Sequence, residues 1–457
     1  MFRRLRRLSN FVRKHGRAQA AIAAAAPVLL LGAASALAQG ATQETTGPVR
    51  LLFTVPVPVA PTNATNGMYG FDISFVDQTN HHYYLGDRSN AAVDDVDAST
   101  GVFVRQITAS PPFAGVKLNA AGTAVNNNIS GPNGIATDGS GTCLFAGDGP
   151  SRVVSFALPS GAQVSDLNTG GVNRADEMAF DPKDRILAVA NNADNPPFVT
   201  FINVATNCTL TKGSQIVFIY VTNGIEQPIW DPGTQRFYVS VPSVSGTTAA
   251  PGPTGAIYRL NPKTGLADAE FLVPVCGPAG LSLGPNETFL IGCNTVYDEV
   301  GNVWTPTDYY TANPVQIIMA TNGAYTFVQG VGSSDEVWYN SGDNHWYTGS
   351  SNAPYSPHPI KGTTGALSTT DQGAGLLGVI DGSSQYLDQI VPTFNVPGVS
   401  PLLGPPPGHP SGTSHSVAAN AANNWVFVPM PANNAIIGCP FGCIGVFGRW
   451  DPDVSND

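Results

Sequence analysis

Seven positions in this chain share a place in a degenerate repeat, and six of them carry side chains able to do chemistry: Asp72, Asn133, Asp176, Glu226, Asp335 and His415, with Ala279 as the seventh. They are spaced 61, 43, 50, 53, 56 and 80 residues apart. Four are carboxylates, and bringing them to one point without a cation would be electrostatically unfavourable. Oxygen ligands from Asp, Glu and Asn suit Ca²⁺ or Mg²⁺, and a neutral His can replace one of them. The plainer expectation has equal standing: polar side chains lining a wet channel, solvated or hydrogen-bonded to nearby backbone.

The repeat that carries these positions dictates the elements. Each unit is a polar residue, four mostly apolar or small residues, then Asp, Asn or Gly: Asp72–Asp77, Asn133–Asp138, Asp176–Asp181, Glu226–Asp231, Ala279–Gly284, Asp335–Asn340 and His415–Asn420. A β-rich run follows each, as in His81–Asp87, Arg185–Asn192 or Trp425–Pro431, with a third strand and a turn such as Leu260–Gly265 after it. Runs rich in Val, Ile, Phe and Tyr, bounded by Gly, Asn, Asp and Pro, read as strands. Four short antiparallel strands per 40 to 60 residues is the sequence form of a propeller blade. The expected fold is therefore all-β, a seven-bladed β-propeller, or six-bladed if the unit at Ala279 is misread. The last unit supplies about three strands, ending at Cys443–Trp450, while Val49–Val57 precedes the first unit without partners of its own. Pairing the two would close the ring and remove an exposed edge. Residues 49–450 then form one domain, because no linker or composition shift divides them into two sandwiches.

This organisation resembles the propeller superfamily of YVTN/NHL-type repeats and the senescence-marker/gluconolactonase family. The resemblance is carried by Asn133-Gly-Ile-Ala-Thr-Asp138, Met178-Ala-Phe-Asp-Pro182 and Glu226-Gln-Pro-Ile-Trp-Asp231, with Gln227 where the lactonase family has Gly. It implies a divalent cation held at the opening positions, with Glu226, Asn133 and Asp176 as leading ligands and Asp335 or Asp72 next. Ca²⁺ is the first expectation, with Mg²⁺, Mn²⁺ and Zn²⁺ behind it. The implied activity is hydrolysis of a small lactone or ester. The cation would polarise the carbonyl and lower the pKa of a bound water, and Asp176 or Asp335 would take the water's proton. A non-catalytic propeller binding a protein or carbohydrate, or a metal-dependent lyase, are the rival readings.

Other residues divide into candidates and scaffold. His415 with Asp335 or Glu177 reads as a base and its orienter, although no G-x-S-x-G elbow, H-E-x-x-H motif or phosphate loop accompanies them. Glu177 and Glu336 follow the opening positions by one residue and should alternate away from the channel on regular strands. Asp87-Arg88 and Asp148 end second strands and are read either as ligand contacts or as turn caps. Trp230 and Trp338 are expected between blades, and His81-His82 should point to opposite faces. Three long loops, Ser243–Thr254, Thr295–Pro314 and Ser350–Gly373, should crown the site with Tyr297, Trp304, Tyr309, Tyr310, Tyr355 and His358. A small molecule or carbohydrate at the channel mouth would suit these aromatics.

Charge and composition bound the rest. The 457 residues include 21 Lys and Arg against 32 Asp and Glu, a net charge of −11. Seven basic residues and no acidic one fall in residues 1–38, so the remainder stands at 14 against 32, or −18. That excludes ordinary electrostatic binding to nucleic acid or anionic membrane. Gly (50) and Pro (38) are enriched, but 42% hydrophobic residues suffice for a core, so the chain is turn-rich rather than disordered. The basic stretch to Arg17, apolar Ala20–Leu31 and Ala36-Leu37-Ala38 form the n-region, h-region and A-x-A site of a signal peptide. The apolar run is too short to span a bilayer, so no stable membrane insertion is expected. Residues 39–48 read as a flexible mature N-terminus and 451–457 as a tail, in a periplasmic or secreted monomer. Six cysteines in an exported chain suggest disulfides: Cys276 with Cys293 across a hairpin, Cys439 with Cys443 around a tight loop, and Cys143 left with Cys208.

Overall fold

The computed structural model describes residues 47–63, 66–122, 125–304, 315–350, 375–393, 415–431 and 438–449. The expected signal peptide, the C-terminal tail, and Tyr309, Tyr310, Tyr355 and His358 lie outside them. Among the described residues the regular structure is strand, apart from two short 3₁₀ turns, and no helix is long and apolar enough to cross a membrane.

Six units build four-stranded antiparallel sheets in strict chain order. Sheet 1 is Ser74–Asp77, His82–Asp87, Ala92–Asp97 and Val102–Ile107; sheet 2 is Ile135–Thr137, Cys143–Asp148, Arg152–Ala157 and Ala162–Asn168. Sheet 3 is Met178–Asp181, Ile186–Asn191, Phe198–Val204 and Leu210–Val217. Sheets 4 and 5 begin at Pro228–Asp231 and Cys276–Leu283 and touch through a single parallel bridge, Thr254 to Cys276. Sheet 6 begins at Ser334–Asn340. Sheet 7 takes Ala418–Asn420, Trp425–Met430 and Cys443–Arg449, and its fourth strand is the N-terminal Val49–Pro56, antiparallel to Cys443–Arg449.

The acidic or amide residue that ends six of the seven units has a local cause. Asp77 Oδ1 accepts from the Thr79 amide at 2.8 Å, Asp181 Oδ1 from Lys183 at 2.8 Å and Asp231 Oδ1 from Gly233 at 2.9 Å, and Asn340 and Asn420 do the same for Gly342 and Ala422. These are Asx turns, in which a short polar side chain satisfies an amide the strand has released. The chain then enters the second strand through a left-handed residue: His81, Gly141, Arg185, Gln235, Asn344 or Asn424, at φ between 54° and 70°.

The core sits between sheets rather than within any one of them. Tyr84 and Val93 of sheet 1 pack on Leu144 and Phe156 of sheet 2, and Phe145 and Val153 of sheet 2 pack on Leu187 and Ile202 of sheet 3. The same holds for each following pair, and Tyr83 and Leu85 of sheet 1 also pack on Phe427 and Val446 of sheet 7. A strand face covered on both sides must be apolar at consecutive positions, which is why second strands such as Cys143–Asp148 are buried throughout. All three expected disulfides form: Cys143–Cys208, which fastens sheet 2 to sheet 3, Cys276–Cys293 and Cys439–Cys443.

Candidate functional site

The opening residues are held by backbone before any side chain is considered. The amides of Asp72, Asn133, Asp176 and Glu226 donate to Gly86, Gly147, Ala190 and Ser240 carbonyls, at 2.8 to 2.9 Å, each fourteen residues along. Each thus extends the pairing of its first and second strands by one step. Close approach between sheets brings the positions together. A Cβ on Gly86 would lie 2.5 Å from the Asn133 carbonyl oxygen, and one on Gly349 2.8 Å from the carbonyl carbon of His415. Only glycine admits backbone that near.

Two arginines organise the polar side chains. Arg88 is buried; its Nη2 pairs with Asp72, its Nε donates to Asn133 Oδ1 at 2.9 Å and its Nη1 to Asn127 Oδ1 at 3.1 Å. Arg174 reaches Asp176 at 2.8 Å, Asp72 at 3.4 Å and Asn192 Oδ1 at 3.1 Å. Asn192 donates in turn to Glu226 Oε2 at 3.4 Å, and Asn294 donates to Asp335 Oδ1 at 3.2 Å. His415 stacks on Phe71 with ring centroids 5.0 Å apart and places Nε2 3.4 Å from Asp72 Oδ1. Its hydrogen-bond partner is therefore Asp72, where Asp335 or Glu177 had been expected. Arg88 was a sequence candidate. Arg174, Asn127, Asn192 and Asn294 were not, because each lies outside the six-residue repeat unit, Asn294 within the strand Thr288–Val296 and the others in turns or loops; the one signal was an arginine two residues before a unit's opening carboxylate.

The electrostatics split the carboxyls into two kinds. Burial alone would raise Asp72, but Arg88, the hydrogen bond from His415 and Arg174 hold it well below the usual range. Burial pushes Asp176 up to about 7, with Asp72 adding to it and Arg174 opposing. Burial and the neighbouring Asp176 and Asp335 carboxyls raise Glu226 well above its ordinary value, and burial raises Asp335 as well. The cluster thus sets a carboxyl held low beside carboxyls pushed up, the arrangement that supports acid and base roles in one site. Arg174, Glu226, Asp335 and His415 are only half-buried, so one side of the cluster is open.

Below the cluster lies a cavity of about 410 Å³ between the first strands, lined from sheets 1 to 6. Glu177 and Glu336 line it, correcting the expectation that they alternate away. Alternation applies only to paired, pleated residues. Glu177 precedes the strand Met178–Asp181, and the pairing of sheet 6 slips between Ser334 and Glu336, so neither pair of neighbours is in regular register. Glu336 Oε2 accepts from the Ser416 hydroxyl and from the Val417 amide at 3.1 Å. Trp230 and Trp338 line the same cavity while packing on Phe237 and Phe75, so they are wedged between elements and face the cavity as well.

The remaining candidates fall away from the cluster or into the scaffold. Ala279 is buried and adds no polar atom. Asp87 caps the turn at Asn90, accepting its amide at 3.0 Å, and Asp148 pairs with Arg152 at 3.2 Å. Tyr297 and Trp304 are buried, Trp304 among Val296, Cys276 and Val315, so neither is presented to a ligand. His81 meets Asn420 and His82 meets Asp95, in different directions as expected.

Of the cation ligands expected, Asn133 Oδ1, Asp72 and Asp176 direct oxygens at guanidinium groups. Among the described residues no three His, Cys, Asp or Glu side chains are arranged to hold a metal ion. As these donors stand, they do not fit one. No protein-family model matches the sequence, and no curated protein matches it.

Proposed function

We propose that the protein is an exported seven-bladed β-propeller, and that the arginine–carboxyl cluster at one end of its channel binds and acts on a small hydroxylated molecule, a sugar lactone or related ester. Seven first strands in mutual succession, seven apolar clusters between successive sheets and the pairing of Val49–Pro56 with Cys443–Arg449 support the closed ring. Three disulfides suit an oxidising compartment after export.

One observation carries the ligand class. The half-open side of the cluster presents a guanidinium (Arg174), carboxyls raised above their ordinary range (Glu226, Asp335) and an imidazole (His415), with Asp176 buried behind them in the layer that fixes them. Hydroxyl groups both donate and accept, so a surface mixing protonated and ionised carboxyls can satisfy each of them. Asp176, near neutrality, can take a proton from an attacking water, and Arg174 can face the oxygen on which negative charge develops. Acid release from a panel of sugar lactones is the test, beside thermal shifts with the corresponding sugars. Turnover lowered at least a hundredfold in Asp176→Asn supports the reading. No turnover and no thermal shift with any panel member would sink it.

A divalent cation is the second reading, favoured by the excess of six carboxyls (Asp72, Asp176, Glu177, Glu226, Asp335, Glu336) over Arg88, Arg174 and His415. It requires Arg174 to leave Asp176. Calorimetric titration of chelated protein with Ca²⁺, Mg²⁺, Mn²⁺ and Zn²⁺, repeated on Glu226→Gln, decides between the two.

A further inference from the structure

The cavity beneath the cluster has a chemistry of its own. Its volume of about 410 Å³ falls in the range of small-molecule sites, roughly 300–1,000 Å³. Phe75, Phe180, Trp230, Trp338 and Tyr339 line it, and all five are only half-buried, so their ring edges reach open space. The aliphatic wall comes from Ile73, Ile135, Ile229 and Leu281. Such a lining takes an apolar or aromatic body.

At the inner end the lining turns acidic. Glu177 is 3% exposed, and its Oε2 is buried with no hydrogen-bond partner. Glu336, 1% exposed, stands at the same end, anchored by Ser416 and Val417. Among the described residues lining the cavity there is no Lys, Arg or His to answer these carboxyls. A buried polar oxygen without a partner is unfavourable, and a donor supplied from outside recovers that loss.

We infer that the cavity is a second ligand site, distinct from the open side of the cluster, which takes a small apolar or aromatic amine: the ammonium donates to Glu177, and the hydrocarbon body lies among Trp230, Trp338 and Phe75. An ammonium fits better than a neutral head group because it supplies three donors to an acidic end and draws on the faces of the surrounding aromatic rings. Burial raises Glu177 and Glu336 well above the ordinary carboxyl range, and a cation beside them favours their ionised form where an anion opposes it.

The test uses the full chain and four probes in calorimetric titration: 4-phenylbutylammonium, 4-phenylbutanol, 4-phenylbutyrate and n-propylammonium. The expected order is the phenyl amine first, the alcohol at least fivefold weaker, and the carboxylate without measurable binding. n-Propylammonium, with the charge but no apolar body, should bind at least twentyfold more weakly than the phenyl amine. Glu177→Gln should weaken the amine at least tenfold and leave the alcohol within twofold, while Trp338→Ala weakens both. Equal affinity for the three phenyl probes, or n-propylammonium binding as well as the phenyl amine, overturns the inference on wild-type protein alone, whatever the variants do. Because lactone turnover is read at the other side of the cluster, its failure would leave this result standing, and the reverse.

Discussion

Arg174 joins Asp72 at the edge of sheet 1 to Asp176 and Asn192, which flank the first two strands of sheet 3. Asp176 and Asp72 hold its guanidinium more firmly protonated than an ordinary arginine, despite burial. Replacing it with methionine removes the counter-charge from two buried carboxylates, a loss of about 3–5 kcal/mol by the usual penalty for breaking a buried pair. Urea unfolding of Arg174→Met measures it, and Arg174→Lys should recover only part, since an ammonium cannot reproduce the planar fork. A second prediction concerns Asp94, which lies beside Asp87 in sheet 1, away from the cluster. Burial raises Asp87 to about 6, and burial with Asp87's charge raises Asp94 well above its ordinary value. A carboxyl whose folded pKa is raised contributes stability that is complete below about pH 4 and is lost as pH rises through its folded value. The thermal midpoint should therefore fall from pH 4 to pH 7, and Asp94→Asn should flatten that slope and raise the midpoint at pH 7.

Turns and close contacts decide the matter at the scale of elements. The Asx turns were legible in sequence, since an Asp or Asn closing four small or apolar residues has a purely local reason to be there. The glycines that let sheets meet were not, because nothing local distinguishes Gly86 from a turn glycine. Gly86→Ala would set a Cβ 2.5 Å from the Asn133 carbonyl oxygen, which backbone cannot yield without parting sheets 1 and 2. We expect a loss of stability and, because Asn133 moves from Arg88, a parallel loss of ligand binding, both read by thermal shift with and without ligand. The Cys143–Cys208 bond closes a loop of 65 residues across sheets 2 and 3. Replacing both cysteines with serine should lower stability by roughly 2–4 kcal/mol, measured by denaturant unfolding.

At the scale of the molecule, the N-terminal strand is the element whose removal reaches furthest. Val49–Pro56 pairs along its length with Cys443–Arg449 and buries Val49 and Val55. A chain starting after Pro56 leaves Cys443–Arg449 as an unpaired edge, which invites association between copies. It should unfold at a lower temperature than the chain that keeps this strand and sediment as larger species. Unchanged melting and a monodisperse truncated chain would count against the closed ring.

Some properties needed only the order of residues. Strand alternation and the recurring acidic turn are set over a few residues or a few tens of residues, and these dictated an all-β chain of repeated four-stranded sheets; an even number of cysteines, six, pointed to its three disulfides. The collection of opening side chains was legible for the same reason, since each sits at a fixed step from its own turn. What they do to one another was decided by tertiary structure alone. Arg88 and Arg174 come from loops, and their charge reaches Asp72, Asn133 and Asp176 only once several sheets pack side by side. Glu177 and Glu336 enter the cavity because one lies ahead of its strand and the other beyond a slip in register. Periodicity describes a regular strand, and both residues sit where regularity stops.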